Sequence, residues 1–229
     1  MKPKLPALLS FNGGYVDTAG FLALQGLFTA HVTGNFVTLG ASLVYGTSGA
    51  LAKLMALPVF CCIVVLTRLL GYCLTRYKLP VLRTMLSIKL LLLTVAAVLA
   101  ISYGPFPDGD SWTALVTGMV LVSAMAIQNA VHRIHLATAP PTTLMTGTTT
   151  QIMIDFADLL HGTEADKIEG VRQRVKKMVL SVFAFACGCG LAAALYLIVQ
   201  IGCFIVPPLL ALVALLLREA SGEQVNSSL

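Results

Sequence analysis

The sequence predicts an all-α integral membrane protein with six transmembrane crossings, arranged as two inverted three-helix repeats that each carry a broken or re-entrant half-helix. Three observations predict it. Hydrophobic residues make up 57% of the chain and charged residues 11%, against about a quarter charged in a soluble domain. No Asp, Glu, Lys or Arg occurs in the 35 residues between Asp17 and Lys53, nor in the 40 residues between Lys177 and Arg218. Two polar interruptions, His31-Val-Thr-Gly-Asn35 and Leu144-Met-Thr-Gly-Thr148, sit inside otherwise apolar sequence. Helix-breaking residues at membrane depth in both halves of a chain point to a solute site.

The elements follow in order. Met1-Lys-Pro-Lys has the positive flank of a signal peptide, but no small-residue cleavage site follows, so the segment from about Pro6 reads as a retained first crossing. Residues 18–52 would span about 52 Å as one helix, too long for a hydrocarbon core of about 30 Å. They fit one crossing plus a half-length piece, with the break at His31–Asn35. A discontinuous crossing over 17–46, with 8–15 at the surface, also fits. Residues 54–75, which contain Pro58 and Arg68, form the second crossing, and 85–102 the third. A turn cluster at 104–110 leads to a fourth crossing at 111–132. Pro140-Pro141 stops any helix, and 142–154 resumes as a short piece. Asp155, Asp158 and the charge run Glu164–Lys177 are expected as a solvated cytoplasmic connector. Residues 178–217, about 60 Å as one helix, must fold back near Gln200-Ile-Gly202, with Pro207-Pro208 shortening or kinking the last crossing.

Charge and motifs exclude several classes. The formal charge of +5 comes from Lys and Arg in short connectors without an aromatic platform, so nucleic acid is not an expected partner. Their distribution instead places both termini in the cytoplasm, with only Lys53 on the other side. The six cysteines lie in apolar segments without CxxC spacing and read as small buried hydrophobes. His132 and His135 lack an adjacent carboxylate and read as interfacial, so no metal and no cofactor is expected. No Walker loop, HExxH or GxSxG is present, which argues against an enzyme.

Aligning Thr33-Gly34 with Thr146-Gly147 brings Gly14-Tyr-Val-Asp17 close to Ala126-Ile-Gln-Asn129. Residues 1–107 then form a first repeat and 108–229 a second, together one membrane domain. Three crossings per repeat force the second to be inverted, so the two interruptions enter from opposite faces. The runs at 14–40 (GYVDTAGFLALQGLFTAHVTGNFVTLG) and 126–151 (AIQNAVHRIHLATAPPTTLMTGTTTQ) resemble the two signatures of the YoaK-like family of bacterial inner-membrane proteins, whose function is not established. The resemblance covers nearly the whole chain and implies the cytoplasmic membrane of a bacterium. It supplies no substrate.

The candidate residues therefore come from chemistry. Thr33, Gly34 and Asn35, with Thr146, Gly147 and Thr148, are expected to line a solute site, with Thr33 and Thr142-Thr143 capping half-helices whose N-termini favour an anion or a polar oxygen. His31, Gln128, Asn129 and Gln151 are expected to add polar contacts. Asp17 is an intramembrane carboxylate, either a coupling charge or a structural partner of Arg68. Ala186-Cys-Gly-Cys-Gly190 reads as a packing face. The function expected is a small secondary transporter or channel for a small anionic or polar solute in the lipid bilayer. The alternatives are an enzyme acting on a lipid or quinone and a non-transporting membrane partner or sensor; a homo-oligomer is compatible with each.

Overall fold

A computed structural model describes residues 4–143, 145–162 and 167–226, with side chains from residue 5 to residue 217. The start Met1-Lys-Pro, Leu144 of the second interruption, the Glu164 start of the charge run, the Arg218 side chain and the tail of Asn226-Ser-Ser228 lie outside the described residues or side chains. Helices alone build the described chain: α1 (Lys4–Ala23), a 3-10 turn (Val32–Gly34), α2 (Asn35–Tyr45), α3 (Ala50–Arg76), α4 (Val81–Tyr103), α5 (Trp112–His135), α6 (Met145–His161), α7 (Ile168–Val199), a second 3-10 turn (Gln200–Ile205) and α8 (Val206–Asn226). Four stretches are long and apolar enough to cross a membrane: Ala50–Arg76, Val81–Tyr103, Trp112–His135 and Ile168–Leu217. The last is 50 residues long and is divided at Gln200, whose φ of 46° turns the chain back.

Local chemistry explains the ends. Gly46 ends α2 in the left-handed conformation, at φ 64°, where a glycine carries no steric cost. The Ser111 hydroxyl accepts from the Ala114 N–H and opens α5. At the start of α3 the Asp110 carboxylate accepts the N–H groups of Gly49 and Leu51, at 3.0 and 2.9 Å, as the positive end of a helix favours. Pro207-Pro208 sit in the first turn of α8, where missing N–H groups cost nothing, so they start that helix and do not kink it.

α1 packs along α7 and touches α8 and α5; α5 packs along α3 and α4; α4 meets α8; α2 lies on α3 and α6 on α7. α1 runs unbroken through 8–15, and Leu9 and Tyr15 are buried, so this segment lies in the core and not at the surface. The buried apolar side chains form two clusters. The larger surrounds Tyr15, Val16, Leu93, Leu121 and Phe204; the smaller surrounds Leu5, Leu9, Met85, Leu86 and Val131. Between them, on α1, α4 and α5, come Asn12, Lys89 and Gln128, each 1% exposed. Of the six cysteines, Cys203 is buried and Cys61, Cys62, Cys73 and Cys187 are exposed on the outward faces of α3 and α7. The expectation of burial fails for those four because a helix lined all round with apolar residues gives its surplus to the outside.

The α1–α7 contact is made by backbone. A Cβ on Gly14 would strike the Phe185 carbonyl oxygen, and one on Gly188 the Phe11 carbonyl oxygen. Gly188 thus bears out the packing face at 186–190, whereas Gly190 faces open space. Gly188→Leu is therefore expected to lower the thermal unfolding midpoint in detergent, at a cost of about 3 kcal/mol or more for overpacking. Gly190→Leu is expected to leave it nearly unchanged.

Candidate functional site

The first interruption begins where α1 ends. Residues 24–31 are non-helical, and regular α-helix resumes at Asn35. In a bilayer their N–H groups need internal partners, and Asp17, one and a half turns from the end of α1, supplies one for three of them. Its Oδ1 accepts from the N–H of Thr29 and of Ala30, both at 2.7 Å, and from that of His31 at 3.4 Å. The expected pairing with Arg68 is not formed: the Arg68 guanidinium lies 4.3 Å over the Tyr72 ring. The carboxylate turns instead to three convergent amides, which solvate it as water would. Asn35 closes the same segment. Its Oδ1 accepts from the Phe28 N–H and its Nδ2 donates to the Phe28 carbonyl, both at 2.8 Å. Gly34 lets the Phe28 ring lie against it, at 3.0 Å from where a Cβ would stand. Thr33 is exposed and caps nothing; α2 has no side-chain cap.

The second interruption, described over 136–143, is held by the counterpart positions on α5. Asn129 Oδ1 accepts from the Thr143 hydroxyl at 2.6 Å, and its Nδ2 donates to the Met125 carbonyl. Gln128 Nε2 donates to the Leu9 carbonyl at 2.9 Å and to the Thr142 hydroxyl at 3.2 Å, while its Oε1 accepts from Lys89 Nζ. Thr142 and Thr143 thus anchor the segment on α5. Gln128 and Asn129 hold the fold and do not line the cleft described next.

A cleft of ≈ 580 Å³ opens beside the start of α6. Thr146, Gly147, Thr148 and Gln151 line it from the first two turns of α6, so this part of the expected second break is regular helix, and His31 reaches it from the first interruption, together with Arg133 at the end of α5. The His31 ring stacks at a tilt on Phe28, 5.5 Å between centroids. A Cβ on Gly147 would meet nothing within 4 Å. Of the expected lining, then, five residues share one space, and Thr33, Gly34 and Asn35 are not in its wall. Arg133 was not among the expected site residues, because a charge between two histidines at a helix end reads as interfacial. His132 is buried with Nδ1 lacking a hydrogen-bond partner, and His135 is exposed, in the wall of a groove that also contains Arg68.

The expected solvated connector is corrected at two places. Asp155 is fully buried on α6, and its two oxygens accept from Arg174 Nε and Nη2 at 2.7 Å each, while Gln151 Nε2 donates to it at 2.8 Å. Residues 168–177 are already the opening turns of α7. A two-pronged guanidinium fits a carboxylate in one plane, which is why Asp155 is drawn in.

These features describe a multi-pass helical membrane protein with polar residues gathered at two interruptions. A family described as "Protein of unknown function (DUF1275)" matches residues 5–217, and the chain belongs to that family. The YoaK-like resemblance is consistent with this membership. No curated protein and no solved structure matches the chain.

Two outcomes follow from these contacts. Asn35→Ala leaves the Phe28 N–H and carbonyl unpaired and is expected to destabilise by about 1–3 kcal/mol; Thr33→Ala is expected to be neutral, both read from thermal midpoints in detergent. The Arg174 guanidinium holds the Asp155 carboxyl below the usual carboxylate range. Its stabilisation therefore stands above the unfolded value of about 3.9 and is lost as pH falls through the lower folded value. Asp155→Asn is expected to be less stable than the wild type at neutral pH, with the difference shrinking below that unfolded value.

Proposed function

We propose that the protein is a small secondary transporter or channel that moves a small anionic or polar solute across the cytoplasmic membrane. The observation that carries this reading is the lining of one cleft by His31 from the first interruption and by Thr146, Gly147, Thr148 and Gln151 from the start of α6, just after the second. Hydroxyl, amide and imidazole groups beside the Arg133 guanidinium suit a negative or oxygen-rich solute. Arg133 has no ion-pair partner among the described residues, so its charge is available to the cleft.

The reading includes two inverted repeats, 1–107 and 108–229. Each runs long helix, interruption, short helix, long helix, long helix. Exchanging the halves turns α1 on α7 into α5 on α3, α1 on α8 into α5 on α4, and α2 on α3 into α6 on α7, and all six pairings occur. α1, α3, α4, α5, α7 and α8 then supply six crossings, with both termini cytoplasmic. α2 and α6 are the re-entrant pieces, since 11 and 17 residues reach only about 16 and 26 Å against a core of about 30 Å.

The test uses the full chain in lipid vesicles, with flux of potassium nitrate, potassium phosphate and the neutral polyol xylitol followed by light scattering after an osmotic jump. At least one probe is expected to cross faster than in protein-free vesicles. Gly147→Leu, which fills open space in the cleft, is expected to slow it by about tenfold or more, a barrier increase of about 1.4 kcal/mol. Equal flux for Gly147→Leu and the wild type, with both folded, would count against the cleft as the pathway.

A further inference from the structure

Lys89 stands eight residues into α4, about 12 Å along the helix from its start, and is 1% exposed. Its Nζ donates to Gln128 Oε1, and among the described residues no carboxylate pairs with it. Asn12 lies in the same layer between the two apolar clusters, 1% exposed, with neither amide atom hydrogen-bonded. Such a residue at membrane depth is costly and marks an ion or proton pathway.

We infer that Lys89 is the proton-binding group that couples solute movement to a proton gradient, an inference that rests on the transport reading of the cleft. The neutral partner is the central point. An amine and an ammonium can both donate to the Gln128 amide oxygen, so a proton can come and go without breaking that bond. When the amine nitrogen takes a proton from water on the open side, one new N–H bond forms and the Asn12 Oδ1 offers an acceptor in the same layer. When the layer faces the other side, that N–H bond breaks and water receives the proton. The route to the cleft is short. Gln128 also holds Thr142, and Thr143 beside it lines the cleft wall, so a charge at Lys89 acts on the segment that enters α6.

The other titratable groups around α4 are already engaged or stand farther off. α5 presents His132, one turn beyond Gln128, with Arg133 and His135 past it. The α8 stretch 206–217 carries no titratable side chain, and the 200–205 turn carries Cys203. α3 presents Lys53, which donates to Ser42, and Arg68, which stacks on Tyr72. Asp17 on α1 is committed to the amides of 29–31.

Two measurements test this on the full chain in vesicles. With whichever of nitrate, phosphate or xylitol the wild type carries, an inward proton gradient is expected to drive accumulation of about tenfold per pH unit at one proton per solute. Lys89→Met is expected to keep downhill flux and lose the accumulation, with Lys89→Arg, which stays charged, losing it too. Accumulation retained in Lys89→Met would overturn the inference and leave the cleft reading intact. The second measurement needs no solute: 15N NMR of lysine side chains, with the Lys89 signal assigned by its loss in Lys89→Arg. An amine-to-ammonium change between alkaline and acid buffer is expected, and an unchanging signal would overturn the inference even if no probe is carried.

Discussion

A chain that interrupts its helices inside a bilayer must find partners for every backbone group it frees, because the surroundings offer none. Here Asp17, on the helix before the first interruption, does this for the N–H groups of 29–31, while Asn129, on the helix before the second, fastens its segment through the Thr143 side chain. The two differ in kind. At Asp17 one carboxyl oxygen gathers three backbone amides, whereas the Asn129 amide works through a threonine hydroxyl. The first interruption is consequently the tighter, with Asn35 adding a second fastening, and its one contribution to the cleft is the imidazole of His31.

Much of the helical layout was legible because its signal is long. Long apolar runs place α3, α4 and α5 to within about four residues of their observed ends, and excess length alone requires a turn near Gln200. The first interruption was legible for the same reason and the second from Pro140-Pro141, although α1 stops at Ala23, well before His31, and Met145–Thr148 is already helix. What escaped were choices among partners. Nothing local tells whether Asp17 will meet a guanidinium eight residues before a helix end or the amides of the loop that follows it. Asn35 reads equally as a solute contact or as a fastening until Phe28 is in place. Lys89 is concealed differently: one lysine among leucines scarcely alters the hydropathy of a crossing.

Basic side chains stand in two tiers. Arg133 and His31 stand in the open cleft, and Lys89 is joined through Gln128 to Thr142, next to the wall residue Thr143. Gln128 links the tiers, since its amide spans from Lys89 to Thr142 while also gripping the backbone of α1 at Leu9. A change of charge in the inner tier therefore has a mechanical connection to the outer one, made of hydrogen bonds with no mobile loop between.

The glycine contact between α1 and α7 bears on how the chain is built into a membrane. Gly14 and its neighbour Cys189 are 175 positions apart, so at 5–20 residues per second α1 leaves the ribosome roughly ten to thirty-five seconds before α7 can reach it. Through that interval its bare glycine face and the Asn12 amide lack the helix that will cover or flank them. The earliest segment is thus the last to be sheltered, and its lifetime in that exposed condition is set by translation speed.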